Sequence, residues 1–167
     1  MVQIDIAKAP AAPDFVRFAE GVGPRFIVTV DTEEEFDWES ALDFNGQSAP
    51  YIQYAHVRAN SILRKVEGQP ESAPDFDKLN HVSEVDLIEL ISRLPEEVQR
   101  AAKELKPNLL ANYAYELAKG FNDFYNQCPV LGAEPELRAA RLALVRAARW
   151  CLGNTLRLLG IRAPEVM

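Results

Sequence analysis

From residue 50 onward, the apolar residues of this chain recur with the period of amphipathic helices, between three and four positions. The stretch PYIQYAHVRANSILRK (50–65) begins the first of these helices, which we predict over about 50–67 with an end near Gly68. Its apolar stripe, which we expect to face a core, consists of Ile52, His56, Ala59, Leu63 and Val66. A polar, proline-rich loop, GQPESAPDFDKLN, follows this helix.

The same period predicts four more helices, at about 81–93, 95–105, 107–127 and 135–159. The helix at 107–127 has a long core stripe: Leu110, Ala114, Leu117, Phe121 and Phe124. The last helix has a second stripe and stops at Gly160: Leu137, Ala140, Leu144, Cys151, Leu152 and Thr155. Helices of this length with short connections predict an all-α antiparallel helix bundle.

The N-terminal region has a different pattern. Pro10, Pro13 and Pro24 interrupt any helix there, and RFIVTV (25–30) has the β-branched and aromatic character of a short strand. We therefore predict two parts. Residues 1–40 form an appended segment that is poorly ordered or contains one strand, and residues 41–167 form the helical bundle.

Composition narrows the class of protein. The 167 residues are 48% hydrophobic and 26% charged, and no apolar run reaches the ~18 to 20 residues that a membrane span needs. We see no secretory signal, and Cys128 and Cys151 form neither a disulfide framework nor a metal-ligand spacing. We expect two buried thiols, a cytoplasmic location, no metal and no membrane partner.

Charge is unevenly distributed. The net charge of −7 argues against indiscriminate nucleic-acid binding. Residues 138–162, however, contain six arginines and no acidic residue. Four of them occupy one broad arc of the last helix, where they either contact phosphates or form a solvated face: Arg138, Arg141, Arg146 and Arg149.

One fragment suggests hydrolytic chemistry. In IVTVDTEEEFDW (27–38), a predicted strand leads into clustered carboxylates, an arrangement typical of metal-dependent hydrolases. It resembles the first motif of polysaccharide deacetylases, with Asp31 as the matching base and Glu33 as a matching metal ligand. That family also needs a histidine pair, whereas His56 and His81 are far apart in this sequence. The simpler interpretation is a solvated acidic turn.

The first helix carries a second stripe beside its core face. Tyr51, Tyr54, Ala55 and Arg58 lie at i, i+3, i+4 and i+7, with Lys65 close to them. Either these amphipathic side chains edge the core, or they form a surface that stacks on something flat and anionic.

From Phe36 onward the sequence resembles the C-terminal portion of arginyl-tRNA synthetase. FDWESALDFNGQSAPYIQYAHVRANSILRK resembles the end of the catalytic domain running into the first helix of the anticodon-binding domain. LLANYAYELAKGFNDFYNQCPVLG resembles that domain's central helix, and LRAARLALVRAARWCLGNTLRLLGIRAPEVM its last helix and tail. These motifs occur in the family's order.

The resemblance implies an α-helical domain that binds the anticodon loop of a tRNA, most specifically arginine tRNA. Unpaired bases would stack on aromatic rings while arginines hold phosphates. Carried over by position, the implied tRNA-binding residues are Tyr51, Tyr54, Ala55, Arg58, Tyr125 and Met167. We add Arg138, Arg141 and Arg149 as candidate phosphate contacts. Asn112, Glu116, Phe121 and Asn122 also match, and we interpret them mainly as packing and helix-end residues.

Two departures from the family pattern limit the prediction. The family's Asp-Ala-Leu-Arg motif reads Arg146-Ala147-Ala148-Arg149 here, so an acidic position has become basic. The ATP-binding signatures of the synthetase have no counterpart, and ATP and arginine would bind the catalytic domain. We therefore expect no cofactor and no arginine activation by this chain alone, which would be a monomer or dock on a separately encoded catalytic part.

Near Trp38, a segment that resembles the start of a deacetylase meets a segment that resembles the C-terminal portion of a synthetase. This arrangement is compatible with a natural fusion, a truncated gene, a gene-prediction error or an artificial chimera. The alternative functions are a deacetylase fragment around Asp31 and Glu33, a helical interaction module, and a bundle without a ligand.

Overall fold

The computed structural model describes residues 48–70 and 72–167, and this part of the chain is a bundle of α-helices. The predicted all-α class is confirmed. The helices are α1 (Ala49–Arg64), α2 (Val82–Ser92), α3 (Leu94–Glu104), α4 (Pro107–Gln127) and α5 (Pro135–Leu158), with a 3₁₀ turn at Phe76–Lys78. The predicted strand at 25–30 and the deacetylase-like residues Asp31 and Glu33 lie outside the described residues, so both stay predictions.

Local sequence signals explain where the helices begin. Four helices have a proline in their first two positions, where a missing N–H costs nothing and the fixed φ suits the helix: Pro50, Pro95, Pro107 and Pro135. α2 instead begins with a capping box, in which the His81 N–H donates to Glu84 Oε2 at 2.9 Å and His81 Nδ1 accepts from the Ser83 N–H. The last helix ends before Gly160, whose φ of +72° suits a residue without a Cβ.

α4 is the central helix and contacts the other four. Its predicted core stripe is buried from Leu110 to Phe124. α2 approaches it very closely at Gly120, where a Cβ would lie 2.4 Å from Leu90 Cδ1. Nearby, the buried Tyr113 hydroxyl donates to the Leu90 carbonyl at 2.9 Å, and burial raises the pKa of that phenol. The shared core fixes which faces of α1 and α4 remain open to solvent.

α1 packs against α5 through its predicted core stripe. His56 is buried over Gly153, where a Cβ would lie 3.2 Å from its Nε2. Its Nδ1 lies 2.8 Å from the Pro164 carbonyl, which can only accept, so Nδ1 carries the proton. Gln53 Nε2 also donates to the Arg162 carbonyl at 2.7 Å. The tail after α5 is therefore fastened along one edge of α1.

Both cysteines are buried free thiols, as predicted, and burial raises the pKa of Cys151. Across residues 48–70 and 72–167, no helix combines the length and apolarity required to cross a membrane.

Candidate nucleic-acid interface

Two exposed tyrosines and an arginine meet where the open faces of α1 and α4 adjoin. Tyr54 is 44% exposed on α1, and Tyr125 is 40% exposed on α4. The guanidinium carbon of Arg58 lies 4.6 Å from the Tyr54 ring centroid and 4.8 Å from the Tyr125 ring centroid. Both distances are within the range of cation–π attraction. We call these three residues, with Asn122, the ring cluster.

Hydrogen bonds hold Arg58 in the ring cluster. Its Nη1 donates to Asn122 Oδ1 at 2.9 Å, and its Nη2 donates to the Tyr54 hydroxyl at 3.0 Å. Since Asn122 lies on α4, the first bond ties the two helices together across the cluster. The rings and the cation are therefore set in place before any ligand arrives, which lowers the entropy cost of binding.

Sequence reasoning assigned Asn122 only a packing role and missed this contact. The signal was present in the spacing, because positions 122 and 125 are neighbours on one helix face. What the sequence lacked was the angle at which α4 crosses α1, which brings that face to Arg58.

Tyr51 has a different role from the other two tyrosines. It is only partly exposed and packs against the hydrophobic core. Its ring centroid is 5.3 Å from that of Tyr115 on α4, with the planes tilted by 43°. This is a favourable aromatic pair geometry. Tyr51 therefore edges the core, and Tyr54 faces outward, where a stacking surface would require it.

Two residues predicted to contact tRNA have little or no exposed surface. Ala55 has no exposed surface, because its small side chain lies inside the bundle. Arg141 is the larger correction. Its Nε donates to Glu84 Oε1 at 2.6 Å and its Nη1 to the Pro129 carbonyl at 2.8 Å.

Arg141 is occupied because Glu84 is fully buried, and a buried carboxylate needs a charge partner. The Arg141 side chain is itself only 12% exposed. It therefore connects the capping box of α2, the exit of α4 and the body of α5. Its function is structural, and we remove it from the candidate interface.

The two other arginines predicted to contact phosphates, Arg138 and Arg149, have different surroundings. Arg138 is partly buried, and its Nη2 donates to Gln69 Oε1 at 2.7 Å. Arg149 is exposed, and its Nη1 lies 3.3 Å from Asn60 Oδ1. The broad arc of arginines seen in the sequence is therefore not one continuous phosphate-binding face.

Met167 is 57% exposed at the end of the tail. The tail is fastened to the edge of α1 that bears Gln53 and His56. Tyr54 and Arg58 lie on another edge of the same helix, because successive residues are about 100° apart around its axis. The structure therefore brings together Tyr54, Arg58 and Tyr125, and Met167 lies exposed beyond the point where the tail is fastened.

The ring cluster has the chemistry of a single-strand RNA contact. Exposed tyrosine faces stack unpaired bases with little regard to their identity. A guanidinium beside them attracts the phosphate backbone and also stacks. These exposed side chains do not form a compact pocket for a small substrate.

Comparison with known proteins identifies a family. The model of the DALR anticodon binding domain matches residues 52–167. The arginine–tRNA ligase of Haloarcula marismortui is 48% identical over 132 residues, which cover 79% of this chain and 23% of that protein. That of Pyrococcus abyssi is 51% identical over 137 residues, covering 79% of this chain and 22% of that protein.

A solved structure agrees with these sequence matches. Thermus thermophilus arginyl-tRNA synthetase superposes with a TM-score of 0.73 and 41% identity, over 78% of this chain and 23% of that one. The chain thus spans less than a quarter of the length of these relatives.

Proposed function

The chain belongs to the family of DALR anticodon-binding domains of arginyl-tRNA synthetases, and from this premise we propose that its helical bundle binds the anticodon loop of a tRNA. The observation that carries the proposal is the ring cluster. Two exposed tyrosine rings on different helices flank one arginine that is already held in place. Such a surface has little to contribute to the stability of the bundle, because its rings remain open to water.

In the proposed complex, unpaired bases of the loop leave their stack and lie on Tyr54 and Tyr125. Base–aromatic stacking contributes ~1 to 3 kcal/mol per base. Two rings would therefore contribute ~2 to 6 kcal/mol to the complex. Arg58 attracts the phosphates around those bases, and this part of the binding weakens as salt rises. Tyr51, behind the cluster, supports the position of α1 against α4 through Tyr115.

The partner we propose is arginine tRNA, since the relatives named above are arginine–tRNA ligases. The test is the affinity of the chain for the anticodon stem–loop of arginine tRNA and for a stem–loop with an unrelated anticodon. We expect tighter binding of the arginine stem–loop. Equal affinities for the two RNAs would remove the arginine-specific form of the proposal, and absence of binding to both would remove the proposal itself.

We further propose that the chain alone does not activate arginine. The model of the anticodon-binding domain matches residues 52–167, and the region shared with the relatives named above is less than a quarter of their length. An assay of arginine-dependent exchange between ATP and pyrophosphate tests this, and turnover by the pure chain would contradict it. Adding a separately produced synthetase catalytic part tests whether the two associate, and light scattering tests the expected monomer.

A further inference from the structure

A cleft lies between the C-terminal end of α1, the turn that follows it and the outer side of α5. Its volume is about 430 Å³, within the ~300 to 1,000 Å³ typical of ligand sites. Three arginines line it, from two different helices: Arg64, Arg146 and Arg149. Two glutamates, Glu67 and Glu165, also line it, so three positive charges face two negative ones. In a chain with a net charge of −7, this local excess of positive charge is unusual.

The cleft is partly organised without a ligand. Asn60 at its wall is buried, and its Oδ1 faces Arg149 Nη1 at 3.3 Å. The carbonyls at the end of α1, which would repel an anion, are already engaged. The Lys65 N–H donates to the Ile62 carbonyl and the Val66 N–H to the Leu63 carbonyl, both at 3.2 Å. These bonds partly satisfy the carbonyls at the helix end, and three guanidinium groups offset the negative end of the helix dipole.

We propose that this cleft binds a phosphate group, with Arg146 and Arg149 as its principal ligands. Guanidinium groups match phosphate oxygens with paired N–H donors, which suits them to this ligand better than to a neutral one. The most direct source is the backbone of the RNA whose loop lies on the ring cluster, and in this form the inference rests on the proposed function. The other source is a free phosphate.

The position of the cleft fits a strand that leaves the ring cluster. Tyr54 and Lys65 are exposed and lie within about 20° of each other around α1, and Arg64 is exposed beside Lys65. Arg64 lies six residues beyond Arg58, about 9 Å along the helix axis and about 120° around it, at ~1.5 Å and ~100° per residue. A few nucleotides cover such a distance, since one strand of a duplex advances ~3.4 Å per phosphate. The cleft would thus bind the RNA backbone beside the stacked bases and would not recognise the identity of those bases.

The test combines the double variant R146Q/R149Q with the matched control Arg157→Gln. Arg157 is exposed on the same helix and carries the same charge but does not line the cleft. Binding of the arginine anticodon stem–loop is measured from about 50 to 200 mM salt. We expect the double variant to lose roughly three- to thirtyfold affinity at low salt, and its salt slope to fall by ~1 to 2. The control should change less than about twofold.

Equal losses in R146Q/R149Q and Arg157→Gln would overturn the inference, because they would indicate general charge and no site. A normal salt slope in R146Q/R149Q, together with weakened binding in Tyr54→Ala, would overturn it too and leave the proposed function intact. If the wild type binds no RNA, titration with inorganic phosphate decides. Phosphate-dependent shifts of the arginine Nε–H NMR signals, absent in the double variant, would support a free-phosphate site, and unchanged signals would overturn it.

Discussion

Arg58 and Arg141 have the same side chain and opposite surroundings. Arg58 lies between two exposed tyrosine rings and is held by neutral acceptors, the Asn122 amide and the Tyr54 hydroxyl. Arg141 is 12% exposed and is bound to Glu84, which is fully buried. A neutral acceptor leaves the charge of the first arginine available to an anionic ligand. A buried carboxylate neutralises the charge of the second arginine.

The contrast shows that the partner of an arginine, more than its place in a basic stretch, decides what the arginine does. Removing Arg141 leaves a buried carboxylate without its charge partner, so we expect the residue to contribute strongly to stability. Removing Arg58 leaves only groups that water can satisfy. The variants below separate these two roles, from the largest expected effect to the smallest.

Arg141→Ala should give the largest effect. We expect the free energy of unfolding to fall by ~3 to 5 kcal/mol, as is found when one partner of a buried ion pair is removed. Urea unfolding followed by circular dichroism measures this. Arg138→Ala is the control, since Arg138 only donates to Gln69, and it should cost ~1 kcal/mol or less.

Replacing both members of the Arg141 pair sharpens this result. Met in place of Arg141 together with Leu in place of Glu84 should recover most of the lost stability, because no buried charge is left without a partner. If Arg141→Ala instead left unfolding unchanged and abolished RNA binding, the contrast between the two arginines would be wrong.

Tyr54→Ala and Tyr125→Ala should affect binding and leave the fold almost unchanged. Each should weaken stem–loop binding by ~1 to 3 kcal/mol, since a base loses its stacking partner. The free energy of unfolding should change by no more than ~0.5 kcal/mol for exposed residues of this kind. Tyr54→Phe is the matched control, since it keeps the ring and removes only the hydroxyl that accepts from Arg58. A loss of binding in Tyr54→Phe as large as in Tyr54→Ala would refute stacking.

Asn122→Ala tests whether Arg58 needs to be held in place. Without the acceptor, the guanidinium gains freedom that it must lose again on binding, so affinity should fall by ~0.5 to 1.5 kcal/mol. Asn112→Ala, an exposed asparagine on the same helix, is the control and should have no effect. If the two variants behaved alike, pre-organisation of Arg58 would contribute nothing.

The smallest expected effect is a gradual change of stability with pH, and it comes from His56 on the buried side of α1. Burial is the main cause of its lowered pKa, which the nearby Arg149 and Arg157 also favour. The unfolded chain therefore binds a proton more readily than the folded one below pH ~6.5. Stability should be complete above that pH and decline as pH falls through the folded pKa. His56→Gln keeps a donor for the Pro164 carbonyl and should flatten this part of the pH profile.

Most of the fold could be predicted from the sequence because the signals that begin and end each helix are local in the sequence. Prolines at first turns, the apolar period and Gly160 mark where they begin and end. α1 ends at Arg64, slightly before the predicted 67, since residues 65–68 continue as turns with the same period. The apolar period alone therefore cannot show where a regular helix gives way to turns.

The site was less predictable, because it depends on how helices cross. Tyr54 and Tyr125 were expected to face outward and are exposed, and Arg58 lies partly exposed beside both rings. Ala55 follows Tyr54 directly, so it lies about 100° further around the helix axis, on the side that the bundle buries. The pairings of Arg141 with Glu84 and of Arg58 with Asn122 join residues 57 and 64 positions apart. No local pattern records partners that are so distant.

The tail is fastened to α1 through peptide carbonyls of residues 162 and 164, which Gln53 and His56 contact. Those carbonyls are present whatever the side chains are, so the attachment is indifferent to the identity of the final residues. Substitutions at positions 166 and 167 should therefore leave the tail fastened, whereas Glu165 also lines the cleft. Side chains at these two exposed positions can be exchanged without removing either attachment.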